Sequence, residues 1–581
     1  MHDLAANVKQ DQTSILQEKS RSFGLVNRVR VRIVRADLRT WIGWLLLVLL
    51  LFFVLAPIVS LLILALGDAG DVWPHLVRTV LPRAVLTTAQ MMLGVGCLTV
   101  LIGVSTAWLV TMCRFPGRQF FQWALLVPLA IPTYIVAYTS VELLDYTGPA
   151  QSLIRWLFGF TSARDYWFPE IRSLGGAIVV MSLVLYPYVY LTTRATFMLQ
   201  SACSLDVSRT LGAGPIRLFF TVALPLARPA IVVGATLAIM ECLNDIGAVE
   251  FFGVKTLTFS VYDTWLNRSS LAGAAQISSV MLVVVLLLLW LERHGRRNQR
   301  YHVTTRRYQA LPSYWLRGWR SWAAIVTCSL PILLGFVLPT MVLLRSSFYH
   351  WEDNLSTEFI QACLNSLGLA LAAALLTASI GTALAYLARI QDKGYVTAIT
   401  RLSSIGYAVP GTVLAVGILI PVATLDNWIA SSLKNWFGIA VGLILLSSGI
   451  AMLYAYCVRF MAMSYGAGET GLQRISTNME AAARTLGRTP FQTLVSIDLP
   501  LIRPALVSGA LLVFVDVMKE LPATILLRPF NFDTLATLVY GQASLEAFEK
   551  GSLAALAIVA VGIVPVILLS RTSGRSYIQQ T

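Results

Sequence analysis

The sequence predicts an all-α integral membrane protein of about 12 transmembrane helices, arranged as two parallel six-helix repeats. Three observations lead to this fold class. Of the 581 residues, 57% are hydrophobic and only 13% are charged, whereas a soluble domain has about 25% charged residues. Apolar segments long enough to span a bilayer extend from Trp41 to Ser570. The second half of the chain repeats segments of the first at a nearly constant spacing.

Twelve apolar segments have about the twenty residues that a membrane span needs. The predicted spans are residues 42–66, 87–112, 119–143, 174–200, 228–250, 273–292, 322–346, 364–389, 397–421, 437–462, 504–527 and 551–570. A long polar arm precedes the first span, so that span is not predicted to be a cleaved signal peptide. The predicted domains are a basic cytoplasmic arm (1–41), a first transmembrane repeat (42–292), a basic cytoplasmic linker (293–321) and a second transmembrane repeat (322–581).

The positive charge predicts the orientation of these spans. The net charge of +15 sits in the N-terminal arm, in the central linker and in alternate short loops, which is how the positive-inside rule distributes Lys and Arg. The opposite loops are richer in acid. Both termini are therefore predicted to be cytoplasmic. No nucleic-acid-binding motif accompanies the charge, so nucleic acid is not an expected partner, whereas membrane lipid is.

The clearest repeat is a polar stretch. RTLGAGPIRLFFTVALPLARPA begins at Arg209, and RTLGRTPFQTLVSIDLPLIRPA begins at Arg484; they match at 11 of 22 positions. We call residues 209–230 and 484–505 the repeated segments. Further matches pair Ile102 with Ile380 and Ile131 with Val409. Since each half has six spans, the halves share one orientation, and their pseudo-two-fold axis is expected to lie along the membrane normal.

Each repeated segment is predicted to be a helix, a glycine corner, a short helix and a proline exit. In the second copy, Gly487 ends the first helix, and Thr489 and Pro490 form a typical helix start. Pro500 and Pro504 are expected to end the next helix soon afterwards. A short surface helix between two spans can serve as a handle for another protein. The alternative is a re-entry loop in which the prolines simply end helices.

These segments resemble the EAA loop of binding-protein-dependent ABC importer permeases, and the two fused six-span halves resemble that family over the whole chain. Two departures from the family motif occur: Glu480 stands one residue early, with Ala481 in the glutamate position, and Asp206 begins a stretch that replaces Glu-Ala-Ala. The positions matched to the loop are Asp206, Arg209, Gly212, Pro215, Leu224, Pro225, Glu480, Ala481, Arg484, Gly487, Pro490, Leu499 and Pro500.

The resemblance implies a type I ABC importer permease fold in a bacterial inner membrane. It implies two copies of a cytoplasmic ABC ATPase, one docked on each loop, and a periplasmic substrate-binding protein. ATP and Mg would be bound by the partner subunits and no cofactor by this chain, which contains no P-loop sequence. The segments that begin at Glu241 and Asp516 look most like fused ferric-iron permeases, although fused permeases for thiamine and other small solutes share the layout.

Charged and polar residues interrupt the fifth and eleventh predicted spans. Glu241 and Asp245 are four residues apart in the fifth span, as are Asp516 and Glu520 in the eleventh. The two acids of each pair therefore fall on one helical face. Ionisable groups inside a span usually face the protein interior or a water-filled path. One interpretation is an acidic lining for a hard cation, which carboxylate oxygens suit; the other is structural, with Lys519 paired to an acid. The candidates are Glu241, Asn244, Asp245, Asp516, Lys519 and Glu520.

Pro132 and Pro410 interrupt matched spans, which indicates either a gating region or ordinary kinks.

A secondary transporter driven by an ion gradient is the main rival function, but it leaves the two repeated segments unexplained. An intramembrane enzyme would need a catalytic motif, and none is present in the sequence. The permease itself is therefore not expected to be an enzyme.

Overall fold

A computed structural model describes residues 51–68, 70, 72–199, 214–296, 314–391 and 404–578. The described part of the chain is almost entirely helical, as the sequence predicts. It contains nine helices long and apolar enough to cross a membrane, or ten if one bent pair counts as a single span. The all-α membrane fold is confirmed, whereas only part of the predicted set of twelve spans meets this test.

Ten helices lie in the described part of the first half. Their bounds are α1 Leu51–Ala65, α2 Trp73–Met112, α3 Arg118–Ala124, α4 Thr133–Leu144, α5 Pro149–Phe158, α6 Leu174–Leu199, α7 Pro215–Asn244, α8 Gly247–Phe251, α9 Leu257–Tyr262 and α10 Leu271–Arg296. A 3-10 turn at Val127–Ala130 precedes α4. The chain bends by 92° between this turn and α4, because Ile131 and Pro132 are both extended.

The second half repeats this order, with nine helices among its described residues. Their bounds are α11 Trp319–Tyr349, α12 Thr357–Gln391, α13 Gly411–Phe437, α14 Ile450–Gln473, α15 Thr477–Thr485, α16 Pro490–Met518, α17 Pro522–Leu527, α18 Leu535–Ser544 and α19 Phe548–Ile578. A one-turn helix lies at Trp351–Asn354, and a 3-10 turn at Ser404–Ala408 precedes α13. Two short parallel strands, β1 Cys113–Arg114 and β2 Tyr314–Trp315, join the halves. We call the end of the helix bundle that contains α15 the loop end.

The exit prolines do not end the helices that follow the repeated segments, so that prediction is wrong. Each of α7 and α16 continues through a π-helical turn, Phe219–Ala223 or Leu494–Asp498, directly before its Leu-Pro pair. The same turn precedes Pro82 in α2 and Pro339 in α11. Proline lacks an N–H and its ring crowds the preceding turn of an α-helix. A wide π turn at that point gives the ring room and lets the helix go on.

Several predicted spans need new boundaries, because prolines break some helices and lie inside others. The span at 397–421 contains the break at Pro410, and its helix runs on to Phe437. The next span is therefore displaced to Ile450–Gln473. The spans at 228–250 and 504–527 begin earlier, at Pro215 and Pro490, and end at Asn244 and Met518. Pro132 and Pro410 are the residues just before α4 and α13, so both matched breaks are confirmed.

The two halves exchange their first helices. Tyr454 in α14 donates a hydrogen bond of 2.6 Å to the Phe53 carbonyl in α1, and α1 also touches α13 at Gly417. Reciprocally, Gly335 in α11 lies against the Leu183 carbonyl in α6. Each half is therefore completed by a helix from the other. The central region between them, where α4, α6, α7, α14, α16 and α17 meet, contains the candidate site.

Candidate functional site

The corner of the second repeated segment is built as the sequence predicts. Gly487 has φ +82°, in the left-handed region that glycine adopts without strain. Its N–H bonds the Arg484 carbonyl at 3.0 Å, and the Arg488 N–H bonds the Ala483 carbonyl at 3.1 Å. These are the two bonds of a Schellman motif, which satisfies the last carbonyls of α15.

The helix after this corner also starts as predicted. The Thr489 side chain accepts from the Gln492 N–H, and the Gln492 side chain accepts from the Thr489 N–H, which is a capping box. Pro490 occupies the first turn, where its missing N–H costs nothing. Tyr386 in α12 donates to the Pro490 carbonyl at 2.6 Å. The corner is therefore a fixed shape attached to a long helix.

Glu480 anchors this corner from inside. It is buried, with Oε1 2.6 Å from Nε of Arg389 in α12 and Oε2 3.6 Å from Arg484. The Arg389 contact is a charge pair and not an aligned hydrogen bond, while the guanidinium also donates to the Ile475 carbonyl at 2.8 Å. Ala481, at the family's glutamate position, is exposed. The displaced acid thus holds α15 against α12.

The outer face of the corner presents apolar side chains that sequence reasoning missed. Leu486 is 82% exposed and Phe491 is 72% exposed, and Val495 lies on the same side four residues after Phe491. In the first copy, Ile216 and Phe220 are exposed at the positions that match Phe491 and Val495. The available signal was a pair of apolar residues at helical spacing in both copies of a polar stretch.

The first repeated segment is seen only in part. Asp206, Arg209 and Gly212 lie outside the described residues. Pro215 is in the first turn of α7 and Gly214 precedes it, as predicted. Leu224 and Pro225 follow the π-helical turn of α7, as Leu499 and Pro500 follow that of α16.

All six intramembrane candidates line one cavity of about 90 Å³ between the halves. We call it the acidic cavity. The candidates that line it are Glu241, Asn244, Asp245, Asp516, Lys519 and Glu520, and Arg459 joins them. With every group ionised, four carboxylates face one guanidinium and one ammonium, a formal charge of −2. The sequence missed Arg459, because a single arginine in an apolar run indicates neither its depth nor its partner.

Asp245 and Glu520, the second acid of each pair, each cap a short helix. Asp245 accepts from the Ala248 N–H at the start of α8 at 2.9 Å, and Thr133 also donates to it. Glu520 accepts from the Ala523 and Thr524 N–H groups of α17, at 3.0 and 3.1 Å, and pairs with Arg459 at 2.8 Å. Both acids are nine-tenths or more buried. These two carboxylates thus have structural partners that satisfy them.

The other polar residues of the acidic cavity have fewer hydrogen-bond and ion-pair partners. Tyr407 donates to Glu241 at 3.1 Å, and Lys519 pairs with Asp516 at 2.9 Å. The N–H of Gly411 donates to the Asn244 side chain at 2.7 Å, across the boundary between the halves. Glu241 and Asp516 are only half-buried. Among the described residues, no three carboxylate, histidine or cysteine side chains are grouped closely enough to hold a metal ion.

Comparison with known proteins places this architecture in a family. Residues 99–300 match the model of the binding-protein-dependent transport system inner membrane component. The molybdenum transport system permease protein of Escherichia coli is 31% identical over 33% of this chain and 86% of its own length.

The chain belongs to this family of binding-protein-dependent transport permeases. It is a multi-pass inner-membrane protein of the ABC importer class. An Fe(3+)-transport system permease protein of Haemophilus influenzae is 26% identical over 84% of this chain and 90% of its own length. The sulfate transport system permease protein of Escherichia coli is 30% identical over 34% of this chain and 71% of its own length.

Proposed function

We propose that this permease imports ferric iron delivered by a periplasmic binding protein. The acidic cavity is the observation that supports a cation as the cargo. Its two positive groups, Arg459 and Lys519, are each paired with a carboxylate, so the remaining charge is negative. An oxyanion would be repelled there, whereas a cation would be attracted.

The relatives fit this choice of cargo. The ferric relative aligns with both halves of this chain, whereas the molybdenum and sulfate relatives each align with about a third of it. Glu241 and Asp516 would attract the ion, because they are the half-buried acids of the cavity. Asp245 and Glu520 would hold the two short helices that shape it. In this proposal the cavity attracts a passing cation and does not chelate it.

The energy would come from two copies of a cytoplasmic ABC ATPase, which bind the ATP and Mg. Each would receive one repeated segment through the exposed apolar side chains of its corner, such as Phe491 and Ile216. Because α16 is continuous from Pro490 to Met518, a movement of the corner would be transmitted along a rigid rod to the acidic cavity. Closure of the ATPases would thereby alternate access to the two sides of the membrane.

Co-purification tests the coupling role. We expect Phe491→Ser combined with Ile216→Ser to reduce the ATPase recovered with tagged permease by about tenfold, since central apolar anchors dominate such contacts. Phe530→Ser is the matched control. Phe530 is fully exposed, and it is two residues before Phe532, which lies beside Gly449 at the start of α14, at the end opposite α15. Equal recovery from all variants would refute the proposed contact.

Uptake in cells tests the cargo. Glu241→Gln with Asp516→Asn should lower uptake of radioactive ferric iron at limiting concentration, because it removes both half-buried acids of the cavity. Glu352→Gln, which changes an exposed acid, should leave uptake unchanged. Full iron uptake by the double variant would count against the attracting role. Uptake of molybdate or sulfate, but not iron, by the unmodified chain would overturn the choice of cargo.

A further inference from the structure

The acidic cavity is the innermost of three neighbouring cavities that lead towards the end of the molecule opposite α15. A middle cavity of about 190 Å³ shares Tyr134 with the acidic cavity. It shares Arg172 and Glu546 with a third cavity of about 1050 Å³, which we call the outer vestibule. The shared residues show that the three cavities are neighbours in a row, from a wide mouth to the acids.

The outer vestibule can be placed along α12. Asn354, just before α12 begins, donates to the carbonyl of the vestibule residue Glu549 at 2.8 Å. Arg389, near the other end of α12, holds α15. The vestibule therefore opens away from the loop end, on the side where a delivered substrate would arrive.

A hydrogen-bonded cluster stands at the middle cavity. Tyr540 in α18 donates to Glu250 in α8, and its hydroxyl lies 3.2 Å from the hydroxyl of Tyr262 in α9. Tyr262 and Tyr540 occupy the same place in the two repeats, 278 residues apart. Two equivalent residues that touch each other must lie on the pseudo-two-fold axis. The cluster thus closes the centre of the molecule, with Glu250 and Tyr262 from the first half and Tyr540 from the second.

We infer that Glu250, Tyr262 and Tyr540 form the outer gate of the translocation path, between the outer vestibule and the acidic cavity. This inference rests on the proposed function, because it takes the acidic cavity to be part of that path. Both hydrogen bonds of Tyr540 cross from the second half to the first. Separation of the halves on this side breaks both bonds at once, so the cluster is made in the closed state and lost in the open one.

Tyr134 places a polar hydroxyl on the acidic-cavity side of this gate. Its hydroxyl is buried and has no hydrogen-bond partner among the described residues, although it lies between the middle and acidic cavities. An unpaired buried hydroxyl is costly unless water or a ligand uses it. Gly247 makes this position possible, since a Cβ there would lie 2.7 Å from Cβ of Tyr134. A hydrated ion that passes the gate next meets this hydroxyl and then Asp245.

Thiol labelling tests the gate without any need for transport. Leu129→Cys places a reporter in the acidic cavity, and a charged, membrane-impermeant thiosulfonate is added outside spheroplasts. Labelling is counted against the parent chain, whose own cysteines set the background. We expect slow labelling of the reporter, and about tenfold faster labelling when Tyr540→Phe removes two hydrogen bonds that hold the gate shut. Glu250→Gln, which removes the charged acceptor, should act in the same direction.

Two controls keep the result specific. Tyr454→Phe also removes a tyrosine hydrogen bond between the halves, but outside the cavities, and it should leave reporter labelling unchanged. Tyr349→Cys, in the outer vestibule, should be labelled quickly in every variant. Fast labelling of Leu129→Cys with the gate intact, or no increase in both gate variants, would overturn the gate. A working gate in a chain that imports no iron would overturn only the proposed cargo.

Discussion

At the residue scale, Glu480 shows what a carboxylate displaced by one position from the family motif does in this chain. The carboxylate sits one position early, so it points under α15 towards Arg389 and leaves the exposed face to Ala481. The two partners are 91 positions apart in the sequence, and nothing in local periodicity joins them. Sequence reasoning could therefore find the acid but not its partner, nor that the apolar neighbours form the exposed face.

Removal of this buried acid should loosen α15. Breaking a buried ion pair costs about 3–5 kcal/mol, but Arg389 keeps its bonds to two backbone carbonyls, so we expect about 1–3 kcal/mol for Glu480→Gln. The amides of Thr477–Thr485 should exchange with solvent at least about tenfold faster. Arg484→Gln is the control, because Arg484 is largely exposed and such pairs contribute little. Equal exchange in both variants would contradict the anchoring role.

At the element scale, the corner and the long helix act together. The glycine and the capping box set the direction of α16, and the π-helical turn carries it past Pro500, while Pro504 lies inside the helix that follows. The sequence predicted the corner correctly, because glycine, threonine and proline act through local geometry. It failed at the exit, because the rule that proline ends a helix assumes an ordinary α turn before it. The same failure explains the misplaced start of α7.

Gly487→Ala tests the corner by conformation alone. A Cβ at Gly487 would meet no atom within 4 Å, so the cost comes from φ +82° and should be about 1–2 kcal/mol. The expected readouts are a lower thermal midpoint and faster exchange of the Arg488 amide. Gly466→Ala also meets open space, but within the helix α14. That control should be neutral or stabilise by about 0.5–1 kcal/mol, and destabilisation of both variants alike would argue against the corner.

At the scale of the whole molecule, the exchange of α1 and α11 makes the halves one structure. Membrane helices are apolar on their lipid-facing and protein-facing sides alike, so hydropathy could not show which half each first helix joins. The repeat did predict two equivalent halves, and the pseudo-equivalent tyrosines Tyr262 and Tyr540 meet between them. Interlocking has a mechanical consequence. The halves can rock about their shared centre, but they cannot separate without unpacking α1 and α11.

Gly417 allows α1 to pack closely on α13, and Gly417→Ala should disturb this contact. A Cβ at Gly417 in α13 would lie 2.1 Å from the Pro57 carbonyl oxygen in α1, and a backbone atom cannot move aside as a side chain can. Small residues allow such close helix contacts in membranes, and overpacking typically costs about 1–3 kcal/mol or more. We expect a clearly lower thermal midpoint in detergent and less protein in the membrane fraction.

Gly368→Ala provides the comparison for that substitution. Gly368 lies within α12 and has open space around a built Cβ, so alanine there should be tolerated or slightly stabilising. A Cβ at Gly417 would meet α1 of the first half, whereas a Cβ at Gly368 would meet no atom within 4 Å. The difference in thermal midpoint between the two variants therefore isolates the contact between α1 and α13. If both variants have the midpoint of the parent, α1 does not pack on the second half as described. The rocking motion would then have no such interlock to limit it.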